Sequence, residues 1–282
     1  MLSEPVTFVV PVNDEELYKN NFLVSPLFSR DFPHQILIQR NFPSAAKAYN
    51  SAIDHASNDL IVFAHQDIVL PWLWLDDLKK SLDYLKETDP LWGVLGCIGV
   101  TKKYDKWAAS LYCTSNMRKY PPFEYPTPVQ TLDEIVLILR RSSGLRFDDN
   151  LPHFHFYGTD ICMAAASRGR TCYAIPAFCL HNSNKIGLFP KEFFESCDCI
   201  RKHWKHFLPI YTTCVIITRS TVAFYLKYKY ERQLRYFLLK MLGKKIRYNT
   251  RVNEPLVLLE KIGVNPTDCT RYDRGLDRIS TR

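Results

Sequence analysis

Residues 44–67 read SAAKAYNSAIDHASNDLIVFAHQD, in which a helical pattern is followed at once by a strand pattern. Ser44 is a typical helix N-cap and the alanines after it recur at helical spacing, so a helix is predicted over Ser44–Ala56. Leu60–Ala64 is short and wholly apolar, as is typical of a buried strand. This strand should therefore carry the polar side chains of His65–Asp67 at its carboxyl end.

Outward from this stretch, strand and helix patterns alternate. Strands are predicted over Val6–Val12, Ile36–Gln39, Trp92–Val100, Glu134–Arg140 and Tyr173–Phe178, and helices over Trp72–Lys86 and Tyr157–Arg168. This alternation favours an open α/β fold with a mostly parallel central sheet flanked by helices. Ligands of such sheets bind at the carboxyl ends of the strands, which directs attention to Asn13, Gln39–Asn41 and His65–Asp67.

One long stretch between these elements lacks periodicity. Thr101–Gln130 is rich in Pro, Tyr and Lys. We predict a long loop there, and such loops are uncommon unless they serve as lids or binding elements.

The net charge of +8 is unevenly distributed along the 282 residues. Residues 1–187 hold 18 basic and 20 acidic side chains, whereas residues 188–282 hold 19 and 9. A hydrophobic content of 46% excludes a disordered chain. We therefore predict a near-neutral α/β domain over 1–187 and a basic, mainly helical extension over 188–282.

Several protein classes lose support from the sequence. No apolar run approaches the ~20 residues that cross a bilayer, and the acidic start does not resemble a secretory leader. The nine cysteines are an odd number without framework spacing, which favours a reducing, cytosolic setting. Walker, Rossmann-glycine and Gly-x-Ser-x-Gly patterns are missing as well.

Asp67 ends an apolar strand, where a single carboxylate is more often a capping or turn residue than a ligand. Here it forms a compact polar group with His65 and Gln66. Carboxylate oxygens suit Mg²⁺ or Mn²⁺, ions that keep coordination positions open for the oxygens of a substrate phosphate. A divalent metal site is therefore one interpretation of this strand end.

Four pieces of the chain occur in an order that resembles the family-2-like glycosyltransferases with the GT-A fold. They are FVVPVND at 8–14, the stretch 44–67, FYGTDICMAAASRG at 156–169, and His181 after a further strand. The end of the stretch 44–67, His65–Asp67, corresponds to the Asp-x-Asp motif of that family. The last acid of that motif binds the metal on the donor diphosphate. The present chain has His65 at the first position and keeps the acid at Asp67.

The resemblance implies roles for individual residues. Asp67 and His181 would bind the divalent metal, Mn²⁺ or Mg²⁺, and Asp160 would be the catalytic base of an inverting enzyme. Glu134 and His155 would lie near the acceptor. The donor-binding residues would be Pro11, Asn13, Asp14, Gln39, Lys47, Asn50, His65 and Gln66.

Structural interpretations of the same residues stay open. Asp160 at a helix start could serve only the helix dipole, and Lys47 could be a solvated helix residue. His181 could be an ordinary hydrogen-bonding loop histidine. Gln39 stands where relatives usually have an acid that reads the base, so neither uridine nor guanosine is favoured.

The C-terminal part is strongly basic. Residues 201–251 hold 13 Lys and Arg and one acid, and Arg219–Lys245 has an apolar stripe at helical spacing. The stripe could pack on the α/β domain, dock on an anionic membrane surface, or accompany basic residues on nucleic acid. No nucleic-acid-binding fold is recognisable, so nucleic acid is not the expected partner.

The pattern Cys197-x-Cys199-x3-His203-x2-His206 contains ligand types that bind zinc. Its Cys-x-Cys spacing is tighter than that of zinc sites, and KEFFESCDCIRKHW is typical of a continuous helix. A helix is the preferred interpretation.

The sequence thus predicts a metal-dependent, inverting glycosyltransferase that moves a sugar from a nucleotide-diphosphate sugar to a hydroxyl acceptor, glycan or lipid-linked. Two alternatives are open. Loss of the first acid at His65 would suit a catalytically silent nucleotide-sugar-binding or scaffolding module, and a sugar nucleotidyltransferase shares the same phosphate and metal chemistry. We expect a cytoplasmic protein, peripheral at the inner membrane face if the basic extension binds lipid.

Overall fold

The computed structural model of the chain describes residues 5–30, 34–103, 107–120, 123–184, 188–242 and 251–264. The helices are α1 (Glu15–Asn20), α2 (Ala45–His55), α3 (Trp74–Thr88), α4 (Tyr157–Ser167), α5 (Lys191–His203), α6 (Thr221–Tyr225), α7 (Glu231–Met241) and α8 (Pro255–Lys261), with a π-helical segment, Leu226–Tyr230, between α6 and α7. The strands are β1 (Thr7–Pro11), β2 (Gln35–Gln39), β3 (Leu60–Ala64), β4 (Ile68–Val69), β5 (Leu95–Gly96), β6 (Ile98–Val100), β7 (Trp107–Ala109), β8 (Leu111–Cys113), β9 (Arg118–Lys119), β10 (Thr127–Val129), β11 (Thr131–Leu132), β12 (Val136–Arg140), β13 (Cys172–Ala174), β14 (Cys179–His181), β15 (Ile210–Tyr211) and β16 (Ile216–Ile217).

The central sheet has seven strands in the order β10-β13-β5-β12-β3-β1-β2. β1 is parallel to β2 and β3, and β13 is parallel to β5. β12 lies antiparallel between β3 and β5, and β10 is antiparallel to β13. Five strands therefore run one way, which confirms the predicted α/β class with a mostly parallel sheet. Because β12 runs the other way, its first residues lie at the edge where β3 ends.

The two faces of the sheet bury separate cores because side chains alternate along each strand. Val9 and Phe63 pack on one face with α2, whereas Phe8 and Val62 pack on the other with α3. Ser44 is the N-cap of α2, as predicted, and its hydroxyl accepts a hydrogen bond from the backbone N–H of the third helical residue.

Three predicted elements differ from the structure. Thr101–Gln130 was predicted as a loop, but its described residues include β7, β8, β9 and β10. The predicted strand Trp92–Val100 consists of two strands, β5 and β6, which belong to different sheets. The predicted strand Tyr173–Phe178 overlaps only the end of β13, and the strand that follows, β14, belongs to a third sheet. Periodicity does not show where a strand changes partners, and three-residue strands are too short to establish a period.

The predicted division into 1–187 and 188–282 stays a prediction, since residue 187 lies outside the described residues. The packing joins the two parts: Phe194, Ile200, Trp204 and Phe224 belong to the same core cluster as α2 and α4. The first part of the predicted extension is therefore built into the α/β core.

The sequence predicts no membrane-spanning segment. Among the described residues, no helix combines the length and the mean hydropathy that a bilayer crossing needs.

Candidate functional site

The site forms where β3 ends. The backbone N–H of His65 donates to the carbonyl of Ile135, so the chain leaves the sheet beside the start of β12. β4 follows and pairs antiparallel with β14, with His181 opposite Ile68. The backbone N–H of Asn182 then donates to the Asp67 carbonyl over 2.8 Å. The pairing of β14 with β4 thus brings His181 beside Asp67.

His65, Asp67 and His181 form a compact group whose candidate ligand atoms lie within 4.8 Å of one another. His181 Nε2 is 3.3 Å and His65 Nδ1 is 3.8 Å from Asp67 Oδ1. Both Asp67 and His181 were predicted as metal ligands, and the structure brings them together. His65 was predicted as a donor contact, and the structure places it in the same group.

The second nitrogen of each imidazole has a partner that orients the ring. His65 Nε2 is 2.8 Å from the Tyr157 hydroxyl, which itself donates to the Glu134 carbonyl. The tautomer in which His65 Nε2 donates to this hydroxyl would leave the lone pair of Nδ1 available to a metal. His181 Nδ1 is 3.8 Å from Cys113 Sγ. Imidazoles held through one nitrogen with the other turned inward are typical of metal sites, so these residues fit a divalent metal.

The electrostatics of the group keep Asp67 ionised, with His181 and Arg251 as its cationic neighbours. Burial would raise the pKa of Asp67, but His181, His65 and Arg251 together hold it well below its usual range. Burial lowers the pKa of His65, which keeps this ring neutral. Burial also opposes a charge on His181, yet the contact with Asp67 raises its pKa well above its usual value. Metal binding would therefore displace a proton from His181.

Sequence reasoning missed Arg251. Its guanidinium lies 3.5 Å from Asp67 Oδ2, and its Nε donates to the carbonyl of Asn182. The buried amide of Asn182 holds this segment in place, since it both donates to the carbonyl of Val252 and accepts from its N–H. The only signal in the sequence was the general basicity of residues 201–251, which does not single out one arginine.

The predicted donor residues after β1 are joined to the metal-site group by Gln66. Its Oε1 accepts from the backbone N–H groups of Asn13 and Asp14, and its Nε2 donates to Asn13 Oδ1. Asp14 also caps α1. Pro11 and Gln39 are register partners at the ends of β1 and β2. These residues share one edge of the sheet with Asp67.

The two predicted donor residues of α2 differ in their contacts. The Lys47 side chain is exposed near the start of α2, and its role as a donor contact stays a prediction. Asn50 instead bonds the backbone of Phe147 through both ends of its amide and also donates to Asp149 Oδ1. Asn50 therefore fixes the segment that leads to α4, and its role as a donor contact stays a prediction.

Asp160, the predicted base, is in the first turn of α4 and is 1% exposed. Its Oδ1 accepts from the Trp204 indole N–H and its Oδ2 from the backbone N–H of Asp148, each over 2.8 Å. Burial raises the pKa of this carboxyl, and these two bonds oppose the rise. A substrate hydroxyl would have to take the place of one of the two donors.

Glu134 lies directly before β12, at the edge of the sheet where β3 ends and Asp67 follows. Burial and the neighbouring Asp133 raise the pKa of its carboxyl well above the usual value, while the backbone N–H groups at the start of α4 oppose the rise. His155 packs edge-on against Phe193, and burial lowers its pKa. The assignment of Glu134 and His155 to the acceptor stays a prediction.

The possible zinc pattern that begins at Cys197 lies largely in α5. The structure therefore agrees with a helix, the interpretation preferred from the sequence. His203 pairs with Asp148 at 2.7 Å and Cys197 is fully buried. In the described ranges, His65, Asp67 and His181 make up the metal-type cluster, and the α5 residues form none.

Comparisons with known proteins give the family of the chain and a shared fold. Residues 7–188 match the sequence model of a family described as "Glycosyltransferase like family". A curated protein of Fuscovulum blasticum, named "ATP synthase subunits region ORF 6", is 32% identical over 128 residues, which is 43% of this chain and 50% of that protein. The match thus spans about half the length of that relative.

Among solved structures, the chain is similar to residues 1–349 of TarS from S. aureus. The TM-score is 0.50 at 16% identity, over 83% of this chain and 78% of that chain. The same protein solved in complex with UDP gives the same values. At this identity the likeness shows a shared fold, and it confirms the architecture expected from the sequence.

Proposed function

The chain belongs to the glycosyltransferase-like family whose model matches residues 7–188, and we propose that it transfers a sugar from a nucleotide-diphosphate sugar to a hydroxyl acceptor. The observation that carries the proposal is the His65, Asp67 and His181 group at the sheet edge that also holds Asn13 and Gln66. A group of metal-ligating side chains beside polar residues at the carboxyl ends of the strands suits the transfer of a group that leaves a diphosphate behind.

His65, Asp67 and His181 would hold the divalent metal of this reaction. When bound, the ion would offset the charge that develops on the leaving diphosphate. Two imidazoles beside one carboxylate favour Mn²⁺ over Mg²⁺, which prefers oxygen ligands alone. The neutral His65 needs no deprotonation, whereas His181 must lose its proton.

Asp160 is the base in this proposal, and the reaction inverts the anomeric configuration. Its carboxylate would take the proton of the acceptor hydroxyl as that oxygen attacks the anomeric carbon from the face opposite the diphosphate. The raised pKa of Asp160 makes it a stronger base than an exposed carboxylate. Trp204 and the Asp148 N–H hold it in one orientation until the acceptor enters.

Arg251 is the residue that contacts the donor diphosphate in this proposal. Its guanidinium neutralises Asp67. A bound metal would coordinate that carboxylate and displace the guanidinium from it. The freed guanidinium would then lie beside the diphosphate, for which its planar fork of donors is suited.

Arg251→Met should weaken donor binding by roughly 10-fold to 100-fold, because one charge-assisted contact to the diphosphate is lost. Binding of Mn²⁺ alone should stay the same or strengthen, because a competing cation has left Asp67. Calorimetry of both ligands checks this result. The matched control is Arg146→Met, which removes an arginine paired with Asp54. Equal donor binding by the two variants would rule out the role of Arg251.

A thermal-shift screen of nucleotide sugars with and without Mn²⁺ tests the function as a whole. A true donor at about 100 times its Kd should raise the melting temperature by roughly 5 to 10 °C, and only with the metal. Incubation with an acceptor should then release the nucleoside diphosphate. A pyrophosphate product would indicate the nucleotidyltransferase, and binding without turnover would indicate the silent module.

The acceptor is a hydroxyl of a glycan or of a lipid-linked sugar, and the protein works in the cytoplasm. The free thiols of the described cysteines support a reducing compartment.

A further inference from the structure

The helical segment Thr221–Met241 is attached to the rest of the protein along one side only. On that side Phe224 is 2% exposed, and the Tyr225 hydroxyl donates to Asp198 Oδ2 over 2.7 Å. The Tyr228 hydroxyl accepts from the backbone N–H of Ile216 over 3.1 Å. These contacts fix the first half of the segment on the α5 side of the core.

The rest of the segment presents large apolar side chains to solvent. They recur at helical spacing and are between 50% and 71% exposed. We call this set the apolar face, which consists of Leu226, Tyr230, Leu234, Phe237, Leu238 and Met241. Packing of this stripe on the α/β domain was one interpretation of the sequence, and these exposures contradict it.

Basic residues accompany the apolar face. Lys227, Arg235 and Lys240 are exposed beside it, and between Arg219 and Leu242 the chain holds six basic residues and the single acid Glu231. We propose that the apolar face docks on an anionic lipid bilayer, with its apolar side chains in the interface and these cations at the headgroups.

The charge favours a bilayer over the other occupants of such a face. A second copy of the chain would bring two strongly basic segments together, and like charges oppose such an interface. Nucleic acid would satisfy the cations but would leave Leu226, Leu234 and Met241 without apolar surroundings. An anionic bilayer satisfies both kinds of side chain at once.

The helical segment that carries the apolar face is connected to the chain around Glu134, the residue predicted to lie near the acceptor. Thr213 donates a hydrogen bond to Asp133, next to Glu134. Thr213 lies in the turn between β15 and β16, and Ile216 of β16 donates its backbone N–H to the Tyr228 hydroxyl of the helical segment. If the proposed function is right, docking would therefore present the acceptor side of the site to the membrane surface.

Vesicle binding of the full chain, without any nucleotide sugar, tests the docking separately from catalysis. The probes are vesicles of phosphatidylcholine and vesicles of phosphatidylcholine with phosphatidylglycerol. We expect binding to the anionic vesicles only, reduced at high salt. Leu226→Ser with Leu234→Ser and Phe237→Ser should weaken it by roughly 100-fold or more, because three side chains lose their apolar transfer.

The matched control replaces three equally exposed apolar residues elsewhere: Leu91→Ser, Met117→Ser and Tyr125→Ser. It should bind like the unmodified protein, and circular dichroism should show that both triple variants are folded. Equal binding by the two triple variants, or no binding by the unmodified chain, would overturn the proposal. So would light scattering that shows a dimer which the apolar-face variant dissociates, because the face would then be an interface between copies.

Discussion

Asp67→Ala should lower kcat/KM for sugar transfer by roughly 1000-fold or more, because the proposed metal site loses its carboxylate. The stabilisation of a leaving diphosphate by a bound metal is worth several kcal/mol, and each ~1.4 kcal/mol is tenfold in rate. Asp67 is the carboxylate that both imidazoles and Arg251 approach. Steady-state kinetics and calorimetric titration with Mn²⁺ measure the two losses.

Folding must be separated from metal binding in this experiment. Asp67 neutralises the half-buried His181, so its removal also destabilises the protein, and Asp67→Asn keeps the shape of the side chain. Asp83→Ala, on the exposed side of α3, serves as the matched control. Full Mn²⁺ binding and full activity in a folded Asp67→Asn protein would contradict the assigned metal site.

Asp160→Asn should lower kcat by roughly 100-fold to 10,000-fold, the range expected for loss of a general base. Binding of the donor should change little, because Asp160 accepts from Trp204 and Asp148, whereas Gln66 bonds to Asn13 and Asp14. The variant should also unfold more readily, since an Asn amide cannot accept at both positions. Kinetics therefore have to be measured well below its melting temperature.

Two comparisons show whether the loss in Asp160→Asn reports the base. Asp149→Asn, at an exposed neighbouring position, should keep its activity. Glu134→Gln changes the other carboxyl with a raised pKa and should cost less than Asp160→Asn. The reverse order would move the base to Glu134 and leave Asp160 as the residue that holds Trp204 in place.

The pH profile offers a further check on Asp160. Burial raises the pKa of this carboxyl, so the protonated form persists to higher pH than in an exposed aspartate. A base must be ionised, so kcat should rise with pH through this raised pKa. This rise should be missing from the residual activity of Asp160→Asn.

Much of the fold followed from local sequence features. The Ser44 N-cap, the Ala-rich face of α2 and the apolar run of β3 each act over a few residues, and the structure confirms all three. Two of the three residues in the metal-type group, Asp67 and His181, were predicted as metal ligands, and the structure places them together. The short strands between residues 101 and 130 were missed, because antiparallel pairs of two or three residues have no detectable period.

The class of fold and the position of Asp67 at a strand end follow from patterns in the chain, because hydrophobic periodicity and capping act locally. The surroundings of that carboxylate follow from tertiary contacts. His181 lies beside Asp67 because β14 pairs with β4 in a sheet separate from the central one. Arg251 reaches it from 184 residues away through the Asn182 contacts. Such meetings depend on which strands pair, and no local pattern in the chain encodes that choice.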